Sequence, residues 1–110
     1  MAEEAVAVAS RINAISKAIT IEGQLSKERI EADATADRDY DKALAVRGLA
    51  YRDLGMPVTL IPSQAKGDAC DEKYKMLVAK GMLKAHWERL KYLEAQMNAQ
   101  QSIYRHLTHT

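Results

Sequence analysis

Phenylalanine is absent from this 110-residue chain, which also has only two prolines, one tryptophan and one cysteine. Aromatic side chains supply most large buried areas, so their scarcity argues against a thick globular core. With two prolines and five glycines there is little to interrupt long helices. The lone Cys70 excludes an internal disulfide and agrees with a reducing compartment. Charge of one sign is lacking too: the formal net charge is +1, so the chain is neither a polyanion nor a strongly basic nucleic-acid binder, and any electrostatic footprint must be local. No run approaches the roughly 20 apolar residues that span a bilayer. The opening Met1-Ala2-Glu3-Glu4 is acidic, unlike the basic start of a signal peptide. The expectation is a soluble, cytoplasmic protein with no membrane partner.

What is present is mostly Ala, Glu, Lys, Arg, Leu and Ile, residues that lose little freedom in a helix. Val8, Ile12, Ile15 and Ile19 recur at spacings of four, three and four, a narrow helical stripe. Gly23 follows the β-branched Ile19-Thr20-Ile21, which predicts a kink near residues 20–26. Residues 27–39 are charged and should be thinly packed. The stripe resumes at Tyr40, Ala43, Leu44, Arg47, Ala50, Tyr51 and Leu54. Gly55 and Met56-Pro57 then supply a left-handed cap and a block to continuation. A connector over 55–68 should lay Val58, Leu60 and Ile61 on the helix ends, with a short helical turn at 63–66 and Asp68 as N-cap of the next helix.

From about residue 69 to 107 the pattern is clearest. Met76, Ala79, Leu83, His86, Leu90, Leu93, Met97, Gln100, Tyr104 and Leu107 alternate at spacings of three and four, the 3.5-residue repeat of a coiled-coil seam. At 1.5 Å per residue the two segments, about 3–54 and 69–107, reach roughly 75 and 60 Å. The predicted fold is all-α: one domain over 1–110, an elongated antiparallel two-helix hairpin of coiled-coil type. Its seam should hold Ile12, Ile15, Ile19, Tyr40, Leu44, Tyr51, Leu54, Leu83, Leu90, Leu93, Met97, Tyr104 and Leu107. Ile21, Leu25, Val46, Leu49, Leu77, Val78, Met82, Trp87 and Tyr92 fall outside this seam, which predicts homodimerisation into a helical bundle. Gln100 and a neutral His86 would set the register.

No phosphate loop, nucleophile elbow or zinc-protease motif occurs, so no catalytic residue, cofactor or metal is expected. His106 and His109 have ligand-like spacing but read as a solvated helix end. His86 reads as a hydrogen-bonded interior histidine, and Cys70 as structural or tolerated. Lys73, Lys80, Lys84 and Lys91 share a stripe with Trp87, at spacings of seven, four and seven between the lysines. Such a stripe suits phosphates and a stacked base, although an ordinary coiled-coil flank has the same composition. Glu28, Glu31, Asp33, Asp37, Asp39 and Asp41 form an acidic run interleaved with Lys27, Arg29, Arg38 and Lys42. It reads as a solvated ion-paired face, the sharper alternative being a DNA mimic.

Three stretches, Tyr40-Asp41-Lys42-Ala43-Leu44-Ala45-Val46, Gly55-Met56-Pro57-Val58-Thr59-Leu60-Ile61 with Ala65-Lys66-Gly67, and Gln101-Ser102-Ile103-Tyr104-Arg105, resemble short helical proteins of temperate bacteriophages and prophages. The resemblance covers about residues 35–107. It implies a protein of the bacterial host cytoplasm acting early in infection, near replication and recombination functions, and it implies no active-site residues. The expected function is a non-catalytic adaptor that engages nucleic-acid machinery or DNA, with itself and a protein as partners. An inhibitor of a host nuclease or defence system and a virion or scaffolding component are the alternatives.

Overall fold

The computed structural model describes residues 2–109. Among them the chain is all-α and has no strand: α1 is Ala2–Gln24, α2 Ser26–Asp53, α3 Ile61–Asp68 and α4 Cys70–Thr108. None of these helices is long and apolar enough to cross a membrane. Each long helix starts with acid: Glu3 and Glu4 in α1, Glu28 in α2, Asp71 and Glu72 in α4. Arg52 closes α2, and Arg105 with His106 closes α4, so charges oppose the helix dipole at both ends.

A single residue, Leu25, separates α1 from α2, and its N–H donates to the Glu22 carbonyl three residues back at 3.1 Å. Two causes lie just upstream. Gly23 holds the helix weakly, and the Thr20 hydroxyl donates to the Ser16 carbonyl at 3.0 Å, a back-bond that bends helices.

The end of α2 is a Schellman cap. Gly55 takes φ 78°, its N–H donates to the Arg52 carbonyl at 3.0 Å, and the Met56 N–H reaches the Tyr51 carbonyl at 3.0 Å. Beyond it the expected connector is shorter than the sequence suggested, because residues 61–68 are the helix α3. Pro62 in its first turn lacks only an N–H that the helix would not use. Asp68 is the last residue of α3 and not an N-cap: its carboxylate accepts the Tyr51 hydroxyl, which holds the tyrosine above its ordinary pKa. Helical bonding continues through the junction residue Ala69, from its N–H to Ala65 and to its carbonyl from Lys73, both at 3.0 Å. Val58 and Leu54 are each 80% exposed and Leu60 is exposed too, so these three do not join the seam or cover the helix ends. Leu54 lies at the cap, just past the last residue of α2, with its N–H still donating to the Ala50 carbonyl at 3.1 Å.

The chain divides into two compact units, one of residues up to Lys27 with those from Lys84, the other Glu28–Leu83. In the first, α1 pairs with the later part of α4 in antiparallel sense, Arg11 meeting Gln100 and Glu22 meeting Arg89. Val8 (2% exposed), His86 (3%) and Leu93 are its buried residues. Ile12, Ile15, Ile19, Leu90, Met97 and Leu107 are half-buried around them, and Tyr104 sits at the exposed margin. In the second unit the small Ala65 and Ala69 are buried. Ile61 packs near Gly48, and Tyr40, Leu44, Tyr51 and Leu83 are half-buried. No residue of α2 is buried.

The two helix-stop glycines should respond oppositely to alanine. Gly55→Ala forces a Cβ into the left-handed region and should cost about 1–2 kcal/mol. At Gly23 an added Cβ meets nothing within 4 Å, so Gly23→Ala should gain about 0.5–1 kcal/mol. Urea unfolding of the two variants measures both signs.

A polar relay at the helix seam

The repeat on α1 does not stop where its apolar residues do. After Ile12, Ile15 and Ile19 the same three-and-four spacing continues as Glu22, Ser26, Arg29 and Asp33, all half-buried. Facing Glu22 and Ser26 from α4 is His86. The Ser26 hydroxyl and His86 Nε2 are 2.8 Å apart, and His86 Nδ1 lies 3.1 Å from Glu22 Oε1. Arg89 Nε donates to the other carboxylate oxygen, Glu22 Oε2, at 3.2 Å.

The roles within this chain of bonds follow from what each group can do. The bond from His86 lowers the Glu22 carboxyl below its ordinary 4.5, with Arg89 adding to the effect and desolvation opposing it. An ionised carboxylate only accepts, so Nδ1 carries the ring proton. In the neutral imidazole Nε2 then accepts from Ser26. Ser26 opens α2 with its hydroxyl committed to His86 across the seam. Hydroxyl, imidazole and carboxylate therefore have the connectivity of an acid–base relay. The His86 side chain is 1% exposed and that of Glu22 17%, so the imidazole is enclosed while Arg89, at 57%, reaches in from solvent.

Enclosure gives these residues a structural task. If α1 slipped one heptad along α4 in one direction, His86 would face Ile15 and Ile19. A slip the other way would set Glu22 against Leu93. Each leaves a polar group without its partner, at about 1–3 kcal/mol apiece. Buried polar residues at seam positions fix coiled-coil register in this way. The sequence places His86 on the seam but not Glu22 or Ser26, because the apolar stripe of the first helix ends at Ile19; Arg89 lies off the repeat and carries no such mark. The unbroken spacing was the signal.

The lysine stripe sits one row beside this seam on α4. Lys73, Lys84 and Lys91 are exposed and Trp87 is 40% exposed, its ring tilted 56° to His86 with centroids 5.0 Å apart. Lys80 pairs with Asp37 at 3.7 Å, an exposed contact of small energetic weight. The acidic run does not form one face. Asp33 and Asp37 turn toward the seam, while Glu28, Glu31 and Asp39 border an open cleft together with Lys42 and Lys75. Asp33 Oδ1 is enclosed with no hydrogen-bond partner among the described residues, and nothing in the structure explains it. Cys70 is exposed in the first turn of α4, and His106 and His109 are exposed at its end.

No protein-family model, curated protein or solved structure matches this chain.

Glu22 sets a pH dependence. A carboxyl lowered in the folded state adds stability above its unfolded pKa, and that share is lost as pH falls through the folded value. The melting temperature should therefore drop on acidification below about pH 5. In Glu22→Gln that drop should be shallower, and parallel curves for the two proteins would show that the carboxylate is not coupled to folding.

Proposed function

We propose that the chain is a non-catalytic interaction protein, a self-associating helical hairpin that presents the lysine side of α4 to DNA or to the acidic surface of nucleic-acid machinery. The observation that carries this reading is the stripe itself. Lys73, Lys84 and Lys91 are exposed in rows of α4 that also hold the half-exposed Trp87, so cationic groups and a stacking surface share one side of the helix. The antiparallel pairing of α1 with α4 in the first unit supports a hairpin. The enclosure of His86 favours a structural over a catalytic role for the relay, and the resemblance to prophage proteins is the support for reading the interaction as one of a bacterial host cytoplasm.

Affinity should be modest. Three phosphate contacts correspond to a salt slope of about −3, and non-specific binding of this kind has Kd near 10⁻⁴ to 10⁻⁶ M, as orders of magnitude. Trp87 is the only tryptophan, so its fluorescence reports contact directly. Single- and double-stranded oligonucleotides titrated at about 50 and 200 mM salt should quench it, more weakly at the higher salt. Replacing Lys73, Lys84 and Lys91 by Gln should abolish the salt-dependent part. An unchanged signal for wild type at low salt would refute DNA contact and leave an acidic protein surface as the partner.

A further inference from the structure

Gly48 lies in the interior of α2, where glycine weakens a helix relative to alanine. Packing does not require it: an added Cβ would meet the Ile61 side chain at 3.8 Å, an ordinary contact. What the missing side chain leaves is depth. Leu44, Gly48 and Ile61 are half-buried and floor a groove between α2 and α3, open along one side, with a volume of about 720 Å³. Leu49, 59% exposed, and Val58, 80% exposed, stand at its margins. All of it lies within the second unit.

The groove carries a single charge. Arg52, exposed in the last turn of α2, ends its lining on that helix, and no acidic residue contributes to it. Among the described residues the Arg52 guanidinium has neither a hydrogen bond nor an ion pair. The carbonyls around it are already taken, since Ala50, Tyr51 and Arg52 accept the N–H groups of the cap. Its donors are open to a ligand, and their planar fork matches a carboxylate.

Size decides between a small molecule and a protein. Ligand pockets run about 300–1,000 Å³, a range that includes this groove. A stable protein interface engages about 20–30 residues a side, and eight line this one. From Leu44 to Arg52 the lining follows roughly 12 Å of helix, which suits an extended alkyl chain of medium length.

We infer that the groove between α2 and α3 binds a single-chain aliphatic carboxylate, with the chain over Gly48 between Leu44, Leu49, Val58 and Ile61 and the head on Arg52. This is a small-molecule site, independent of the lysine stripe on α4 and of the partner that stripe would take.

The test is amide NMR on the full-length, isotope-labelled protein titrated with decanoate. Decanol and decyltrimethylammonium carry the same chain on other heads, and all three are used below micelle formation. Decanoate should shift the Ala45, Gly48 and Ile61 amides and bind about 10-fold tighter than the cationic probe. Arg52→Gln should weaken decanoate about 10-fold, the scale of a hydrogen bond to a charged group, and leave decanol unchanged. Gly48→Leu fills the floor and should abolish binding of both. Val58→Glu changes a residue that is 80% exposed, so helical circular dichroism should persist while the added carboxylate repels decanoate. The absence of any response to decanoate overturns the inference. Equal affinity for the anionic and cationic probes does so too, as do shifts confined to residues outside the groove. Decanoate binding that Arg52→Gln leaves unchanged, or that Gly48→Leu and Val58→Glu both leave intact, has the same consequence.

Discussion

Ser26, His86 and Glu22 form a buried layer of the seam in which each polar group has a single correct partner. An apolar seam with a 3.5-residue repeat is nearly degenerate, since sliding one helix by a heptad exchanges one aliphatic contact for another. The two hydrogen bonds through the imidazole remove that degeneracy. They sit where α1 gives way to α2, and Arg89 reaches in from the surface to complete the carboxylate. Which residues of α1 and α4 meet across the seam depends on this register.

The core that the layer serves is sparse. Val8 and Leu93 are the buried aliphatic residues of the first unit, and two alanines, Ala65 and Ala69, serve the second. Burying a large aliphatic side chain is worth about 1.5–3 kcal/mol, so so few of them leave little to spare against chain entropy. Between Arg29 and Tyr40 the seam positions of α2 fall to Arg29, Asp33 and the small Ala36, which offer little apolar area. The proposed self-association would add to this thin interior, since large apolar side chains such as Ile21 and Tyr92 are exposed.

Much of the fold was legible because its period is simple. The three-and-four alternation on α4 predicts one helix from the region of Cys70 to Leu107, and the glycine and proline after Leu54 predict the cap that Gly55 makes with φ 78°. The sequence predicts only a helical turn at 63–66 where α3 runs Ile61–Asp68, because eight residues with proline near the start carry too little periodicity to set its bounds. Leu54 was assigned to the seam on spacing alone, which cannot show that the chain leaves the helix one residue earlier. At the polar relay, composition misled. Glu22 and Ser26 look like solvent residues until His86 is set opposite them, and that juxtaposition is 60 or more residues distant in sequence.

Register is the quantity to measure. Spin labels at the exposed positions Asn13 and Asn98, in protein diluted with unlabelled chain, report the sliding of α1 against α4 by pulsed electron resonance. In wild type the account predicts one narrow distance. In the triple variant Glu22→Leu, Ser26→Ala, His86→Leu it predicts a second population displaced by one heptad, about 10 Å. The same single narrow distance in the triple variant would contradict the claim that the polar layer holds the register.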